Sequence, residues 1–204
     1  MEHIKEYEYV DLGLPSGLKW AKCNVGAEKE TDYGDYFMWG SVTPNTADEC
    51  TWTNAPFNNG SISFNLTYFN SIKDTVCPNG VLAKECDAAY QATEGKAHMP
   101  TAEQFKELLD NTDNEWIEDF NGSGVNGRKF TSRTDISKYI FIPAAGSRYS
   151  SSFFDQKHYG SVWSSSIVVS QPNCSLHLEF INDDYRIGEY YHYDGFSVRP
   201  VSDN

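Results

Sequence analysis

The stretch Gly195-Phe196-Ser197-Val198-Arg199-Pro200-Val201 sets the reading of the rest of the chain. Apolar and polar residues alternate in it, the period of a strand with one face on a core, so Phe196, Val198 and Val201 are expected inward. Arg199 sits among them. A guanidinium between inward residues is expected to form a structural ion pair or to stack on a ring such as Trp163. Upstream, Ser175-Leu176-His177-Leu178-Glu179-Phe180 alternates cleanly, with Leu176, Leu178 and Phe180 on one face. Tyr139-Ile140-Phe141-Ile142 reads as a core strand that stops at Pro143, and Glu115-Trp116-Ile117 and Gly127-Arg128-Lys129-Phe130-Thr131 as shorter ones.

Toward the N-terminus, Pro15-Ser16-Gly17 is a turn signal between two apolar runs, Tyr7–Leu14 and Leu18–Ala21, which predicts a hairpin. Residues 32–40 read as an extended aromatic segment. Residues 41–80 show no period and are expected to form a long structured loop anchored by Trp52, Phe57, Phe64, Tyr68 and Phe69. Two helices follow. Ala83 to Thr93 places Cys86, Ala89 and Tyr90 on one face and ends at Gly95. The second has Thr101 as N-cap and Gln104 three residues on, a capping box, and a stripe of Ala102, Phe105, Leu108 and Leu109. Two helices and many short strands make an α+β layout. No linker or repeat divides it, so residues 1–204 read as one domain.

The balance of 16 Lys+Arg against 29 Asp+Glu gives a net charge of −13. That argues against nucleic acid, which needs a basic footprint, and against anionic lipid. Aromatic residues are 15% of the chain, too many for a disordered acidic tail. The first residues, Met1-Glu2-His3-Ile4-Lys5-Glu6, carry no signal peptide, and no run is apolar enough for a membrane span. The five cysteines, Cys23, Cys50, Cys77, Cys86 and Cys174, form no CxxC pair and read as buried thiols, with a Cys77–Cys86 loop as the alternative.

Several motifs together carry a resemblance. Val10-Asp11-Leu12-Gly13-Leu14-Pro15-Ser16-Gly17-Leu18-Lys19-Trp20-Ala21 and Met99-Pro100-Thr101 with Phe105 and Leu108 stand in the first half. Gly146, Tyr159-Gly160 with Trp163-Ser164-Ser165-Ser166, Leu176, Leu178, Phe180 and the 195–201 stretch stand in the second. This set resembles the bacterial and phage C-type-lectin-like family. That family has the formylglycine-generating-enzyme-like fold and includes the Fibrobacter-major-paralogous-domain-like group and the variable proteins of diversity-generating retroelements. The resemblance implies a C-type-lectin-like fold, two helices packed on short, mostly antiparallel strands, with the first and last strands paired. It also implies that residues 161–194 form a ligand-binding and candidate variable region.

The residues agree on one point. Residues 181–194 hold four Tyr in fourteen positions among Asn, Asp and Gly, a composition suited to recognition because Tyr offers contact area at low entropic cost. The last 47 residues contain no Lys although the chain has 11, which is compatible with adenine mutagenesis. The candidate ligand contacts are Ile167, Val168, Val169, His177, Asp183, Tyr185, Ile187, Tyr190, Tyr191, His192 and Tyr193, with Tyr190, Tyr191 and Tyr193 as anchors. Asp183, Asp184, Glu189 and Asp194 are expected to form a solvated or ligand-facing acidic rim, with no apolar setting to raise a pKa.

Enzymatic readings are weaker. Formylglycine-generating relatives need two late thiols, and only Cys174 lies beyond Cys86. The serines after Trp163 lie in no nucleophile elbow. Gln171-Pro172-Asn173 resembles part of an animal lectin calcium motif, without the framing cysteines. The expectation is a non-enzymatic binding protein with no metal and no cofactor. Its partner is a cell-surface protein or glycan, met at a bacterial surface or on a phage virion. An invariant glycan-binding adhesin module is the alternative, and an oxidoreductase a distant third.

Overall fold

A computed structural model describes residues 6–149 and 152–203 of the 204. The opening residues 1–5, read above for a leader, lie outside it. The chain is α+β, with few helices and antiparallel sheets. Among the described residues, no helix is long and apolar enough to cross a membrane.

The predicted hairpin forms. Strand β1 (Tyr9–Asp11) pairs antiparallel with β2 (Lys19–Ala21), and Gly17 N–H closes the turn on Leu14 O at 2.9 Å. The last strand, β11 (Val201–Ser202), adds to the other side of β2 with Val201 opposite Trp20. The chain ends therefore share one three-stranded sheet, with the second strand rather than the first as the partner of the last. A second sheet runs β3 (Thr112–Ile117), β4 (Gly127–Ser132), β5 (Tyr139–Pro143). A small hairpin joins β6 (Ser147–Tyr149) to β7 (Ser152–Phe154). The third sheet contains β8 (Gly160–Ile167), β9 (Cys174–Phe180) and β10 (Tyr185–Tyr191), with β9 central and β10 at the edge.

Helix α3 (Ala102–Asn111) is the predicted capped helix. Thr101 Oγ1 accepts from Gln104 N–H at 3.2 Å, and Gln104 Oε1 accepts from Thr101 N–H at 2.8 Å. Its Phe105 meets Trp20 with ring centroids 5.4 Å apart. The helix predicted over 83–93 breaks in two. Asp87 Oδ1 accepts from Tyr90 N–H and caps α2 (Ala88–Ala92), leaving a 3-10 turn at Lys84–Cys86 before it. The predicted loop 41–80 hides a full helix, α1 (Leu66–Val76), capped by Asn65. Phe69, Ile72 and Val76 recur at i, i+3 and i+7 and turn inward, a short stripe of which only Phe69 is fully buried. All five cysteines are free thiols.

The central feature is that sheet β8–β9–β10 has a hydrophobic cluster on each face. Val162 and Leu178 lie opposite one another and join Val10, Trp20, Phe105 and Phe130 in one cluster. The next residue of β8, Trp163, points the other way and joins Phe37, Trp39, Met99 and Phe196 in another. Strand β9 is thus buried on both faces. The alternation of 175–180 predicts a polar outer face, but Ser175 and His177 are fully buried and Glu179 nearly so. They are covered by the 195–198 segment, which runs inside the molecule rather than along its surface. Phe196 packs on His177 at 4.9 Å, and Ser197 bridges to Val162. The predicted 195–201 strand is therefore a wholly buried segment with isolated bridges, and forms a ladder only at its end.

Arg199 forms neither the ion pair nor the Trp163 stack expected of it. It is fully buried, and its hydrogen bonds go to neutral oxygens. Nε donates to Asn24 Oδ1 at 2.8 Å, Nη1 to Ala21 O and Lys22 O at 2.8 and 2.7 Å, and Nη2 to Phe141 O at 2.9 Å. Burial lowers its pKa to about 10, so it stays charged at neutral pH. The planar fork reaches all four acceptors at once, which an ammonium cannot do. Arg199→Lys is expected to lower unfolding free energy by about 2–4 kcal/mol, read as a reduced urea midpoint with unchanged m, because buried carbonyls lose their donors. A change below about 0.5 kcal/mol, typical of a surface site, would show that the fork is dispensable.

Candidate functional site

Strand β10 has its β9 neighbour on one side and an open edge on the other. Its Tyr190 and Tyr191 are 45% and 43% exposed. Tyr191 and Tyr193 stack with centroids 5.6 Å apart and planes 10° from parallel. Trp52, from the long connection before α1, meets Tyr193 at 4.7 Å and Tyr191 at 5.9 Å. Tyr149, from β6, meets Tyr193 at 5.5 Å and Phe154, from β7, at 6.3 Å. Four chain segments thus contribute rings to one continuous aromatic face. The sequence identified its tyrosines Tyr190, Tyr191 and Tyr193. Trp52, Tyr149 and Phe154 were not anticipated as site residues, because no local period links them to residue 190.

Beside this face lies a cavity of about 360 Å³ walled by Tyr149, Phe154, Tyr159, Tyr190 and Phe196. Its acids are Asp155, which is exposed, and Asp194, only 3% exposed. Asp194 is no part of a solvated rim. Among the described residues its Oδ2 has no hydrogen-bond partner, and desolvation raises its pKa to about 8. The turn at Tyr191–Asp194, closed by Asp194 N–H on Tyr191 O, carries the carboxyl inward toward Cys50 and Phe196 rather than out to water. Cys50 has its thiol pKa pushed up to about 12, first by burial and then by the Asp194 charge.

Another acid lies nearby in a contrasting setting. Glu179 accepts from the Tyr159 hydroxyl and from Arg186 Nε, and His177 Nε2 lies 3.2 Å from its Oε2. The contact with His177, aided by Tyr159 and Arg186, lowers its pKa to about 2. Gly188, opposite His177 on β10, leaves room for this group. A Cβ there would come within 2.8 Å of the Glu179 carboxyl carbon and 3.0 Å of the His177 ring. Glu179 is therefore a fully served carboxylate, and Asp194 is the acid with an open acceptor.

The other predicted contacts scatter. His177 and His192 are fully buried and cannot touch a ligand. His192 stacks on Trp39 at 4.5 Å, bonds Ser175 Oγ through Nε2 at 3.0 Å, and is held neutral, its pKa lowered to about 3 by desolvation. It is core, placed there because β10 ends at Tyr191 and the chain turns inward. Val168 is 8% exposed, and Ile187 packs against the first cluster, on the opposite face of β10 from Tyr190. Ile167 is partly buried against the second cluster and, with the 85%-exposed Val169, lines a separate groove of about 340 Å³ against α1 residues Phe69 and Lys73. Tyr185 is exposed but stands five residues along β10 from Tyr190, roughly 17 Å, under the Arg128 guanidinium at 4.6 Å. Asp183 is exposed in the β9–β10 turn, closed by Ile181 N–H on Asp184 O. Ser164 donates to Leu176 O at 2.7 Å, the backbone-satisfying role expected of that serine run.

No family model, curated protein or solved structure matches the chain.

The two buried titratable groups give opposite pH limbs. His192 binds protons more readily unfolded than folded, so its contribution to stability is complete above about pH 6.5 and is lost as pH falls toward 3. Asp194 has the reverse sign. Its folded pKa is raised, so the protonated fold is fully favoured below about pH 4 and loses stability as pH rises through 8. Asp194→Asn is expected to leave stability nearly unchanged at pH 4 and to raise it by about 1–3 kcal/mol at pH 9. Urea unfolding at the two pH values checks this, and a variant weaker than wild type at pH 9 would mean that Asp194 has a partner in the fold.

Proposed function

We propose that this chain is a non-enzymatic ligand-binding domain of C-type-lectin-like fold whose recognition surface is the aromatic face on β10. The observation that carries the reading is the ring set Trp52, Tyr149, Tyr191 and Tyr193, drawn from separate segments into mutual contact, with Tyr149 and Tyr191 exposed and Trp52 and Tyr193 half-buried against Met38, Cys50 and Ala55. Large exposed rings gathered at one place mark an interaction surface, and Tyr and Trp are the residues that concentrate binding energy. Rigid strands and mutual stacking hold these rings before any ligand arrives, which limits the entropy lost on binding. The meeting of both chain ends in one sheet and the burial of the 195–201 segment are consistent with the proposed fold.

The diversity-generating retroelement reading follows from the same surface. Tyr185, Arg186, Glu189, Tyr190 and Tyr191 are all exposed on an edge strand and belong to neither hydrophobic cluster. Within the 161–194 region, Val162, Trp163, His177, Leu178 and His192 are buried and would have to stay constant. A near-identical, Asn-rich copy of the coding segment beside a reverse-transcriptase gene is the expected genomic companion; an invariant adhesin would have none.

Binding of the purified protein to an array of glycans and cell-surface proteins is expected to yield a ligand. Tyr191→Ala should weaken it by at least about thirtyfold, some 2 kcal/mol, while costing less than about 1 kcal/mol of stability. Full retention of binding in Tyr191→Ala would remove the aromatic face from recognition.

A further inference from the structure

We propose that the cavity beside the aromatic face receives an alkylammonium group, an N–H of which donates to the Asp194 carboxylate while its carbon chain lies against Tyr149, Phe154 and Tyr190. This deepens the binding reading above and rests on it. Three features converge. The Asp194 carboxyl lines the cavity, is 3% exposed, and has an Oδ2 that accepts no hydrogen bond from the described residues. Buried acceptors in native proteins are nearly always served, so an orphan at the edge of a cavity marks a place for an incoming donor. The walls are aromatic, and ring faces attract a cation in a desolvated setting. The described lining contains a second acid, Asp155, and no Lys or Arg to compete. Arg148, whose neighbours Ser147 and Tyr149 line the cavity, donates instead to Asn45 O at 2.7 Å and lies over the Tyr36 ring at 4.3 Å.

The orphan acceptor also selects among cations. A quaternary ammonium would satisfy the rings but brings no N–H, leaving the carboxylate unserved. An ammonium carrying N–H groups on an alkyl carbon meets both the ring and the acceptor requirement. The chain's charge of −13 favours the approach of such a group.

The proposal has a proton signature. Around Asp194 stand Cys50, Cys174, Tyr190 and Tyr193, with Tyr149, Asp155 and Tyr159 on the cavity wall and Arg148 paired to the neighbouring Gly195. The first four are raised by burial and further by the Asp194 charge, and the Arg148 guanidinium is directed to Asn45 O and the Tyr36 ring. An ammonium on Asp194 stabilises the carboxylate, so binding near pH 7 expels the Asp194 proton to solvent.

The test is calorimetric titration at pH 7 in phosphate and in PIPES, whose ionisation heats differ and neither of which is a primary ammonium. The probes are Nα-acetyl-lysine N-methylamide and glucosamine, each against its uncharged counterpart, Nα-acetyl-norleucine N-methylamide and glucose. At least one amine is expected to bind saturably, about tenfold or more tighter than its counterpart, with release of more than about half a proton. Asp194→Asn should abolish the proton release and weaken the amine by about tenfold or more. Binding of the lysine amide alone assigns a peptide source, of glucosamine alone an amino sugar, and of both the ammonium itself; each supports the proposal. No saturable amine binding, equal binding of the uncharged counterpart, or binding without proton release overturns it. The counterpart and proton readouts use the wild-type protein, so they decide even if Asp194→Asn fails to fold. An array ligand lost in Tyr191→Ala but accompanied by no amine binding would leave the aromatic face standing and remove only the ammonium assignment.

Discussion

The fold depends on one buried cation. Arg199 places a full charge where water does not reach and surrounds it with four neutral oxygens from three parts of the chain: the end of β2 and the residues just after it, Asn24, and β5. Burying a charge in this way costs several kcal/mol, and dipoles aimed at it are what make the arrangement tenable. The same bonds give those carbonyls partners they would otherwise lack. The constraint works in both directions, since the acceptors need the guanidinium as much as it needs them. It fixes the C-terminal segment beneath the surface, between the first sheet and the second.

That placement explains the rest of the interior. With Arg199 anchored, Phe196, Ser197 and Val198 must run across one face of β8–β9–β10, and this face then has to be dry. Trp163 donates its indole N–H to Phe37 O at 2.8 Å and Trp39 to Ser164 O at 2.9 Å, so both large rings enter the second cluster without leaving a polar atom unserved. His192 enters as a neutral ring. His177 and Glu179 enter as a pair completed by Tyr159 and Arg186. What looks along the sequence like the solvent side of a strand is a second interior, in which polar residues are held among aromatic rings.

This is where sequence reading reaches its limit. The features it captured are local. The Thr101–Gln104 box, the Pro15-Ser16-Gly17 turn and the Ile140–Ile142 run each carry their signal within a few residues. The features it missed are set by contacts distant in sequence. An alternating strand covered on both faces has the same pattern as one covered on a single face, so Ser175, His177 and Glu179 could not be placed. Helix α1 has its Asn65 cap and a short stripe of Phe69, Ile72 and Val76, but it closes a long Asn- and Thr-rich stretch without a period, where so brief a signal is hard to see. In the candidate site, Tyr190, Tyr191 and Tyr193 were legible by composition. Their neighbours Trp52, Tyr149 and Phe154 were not, because the long connection and the β6–β7 hairpin meet them only in three dimensions.

The same distinction separates Glu179 from Asp194. Glu179 has everything a buried carboxylate needs, and its low pKa marks a group that stabilises the fold in its charged form. Asp194 is buried more deeply, gains no donor on Oδ2, and is pushed toward neutrality. An asparagine would meet the fold's requirements there with less penalty. A residue that weakens the native state at neutral pH, while bordering a ring-walled cavity, fits a role in binding better than one in folding. The division of aromatics points the same way. Trp20, Trp39, Trp163 and Phe196 are sunk in the two clusters, while Tyr149, Phe154, Tyr159 and Tyr190 gather around that one acid. If packing alone governed their placement, exposed rings would be scattered singly over the surface, as they are on most proteins. Their concentration beside an unsatisfied carboxylate is the arrangement expected of a site that completes itself with a ligand.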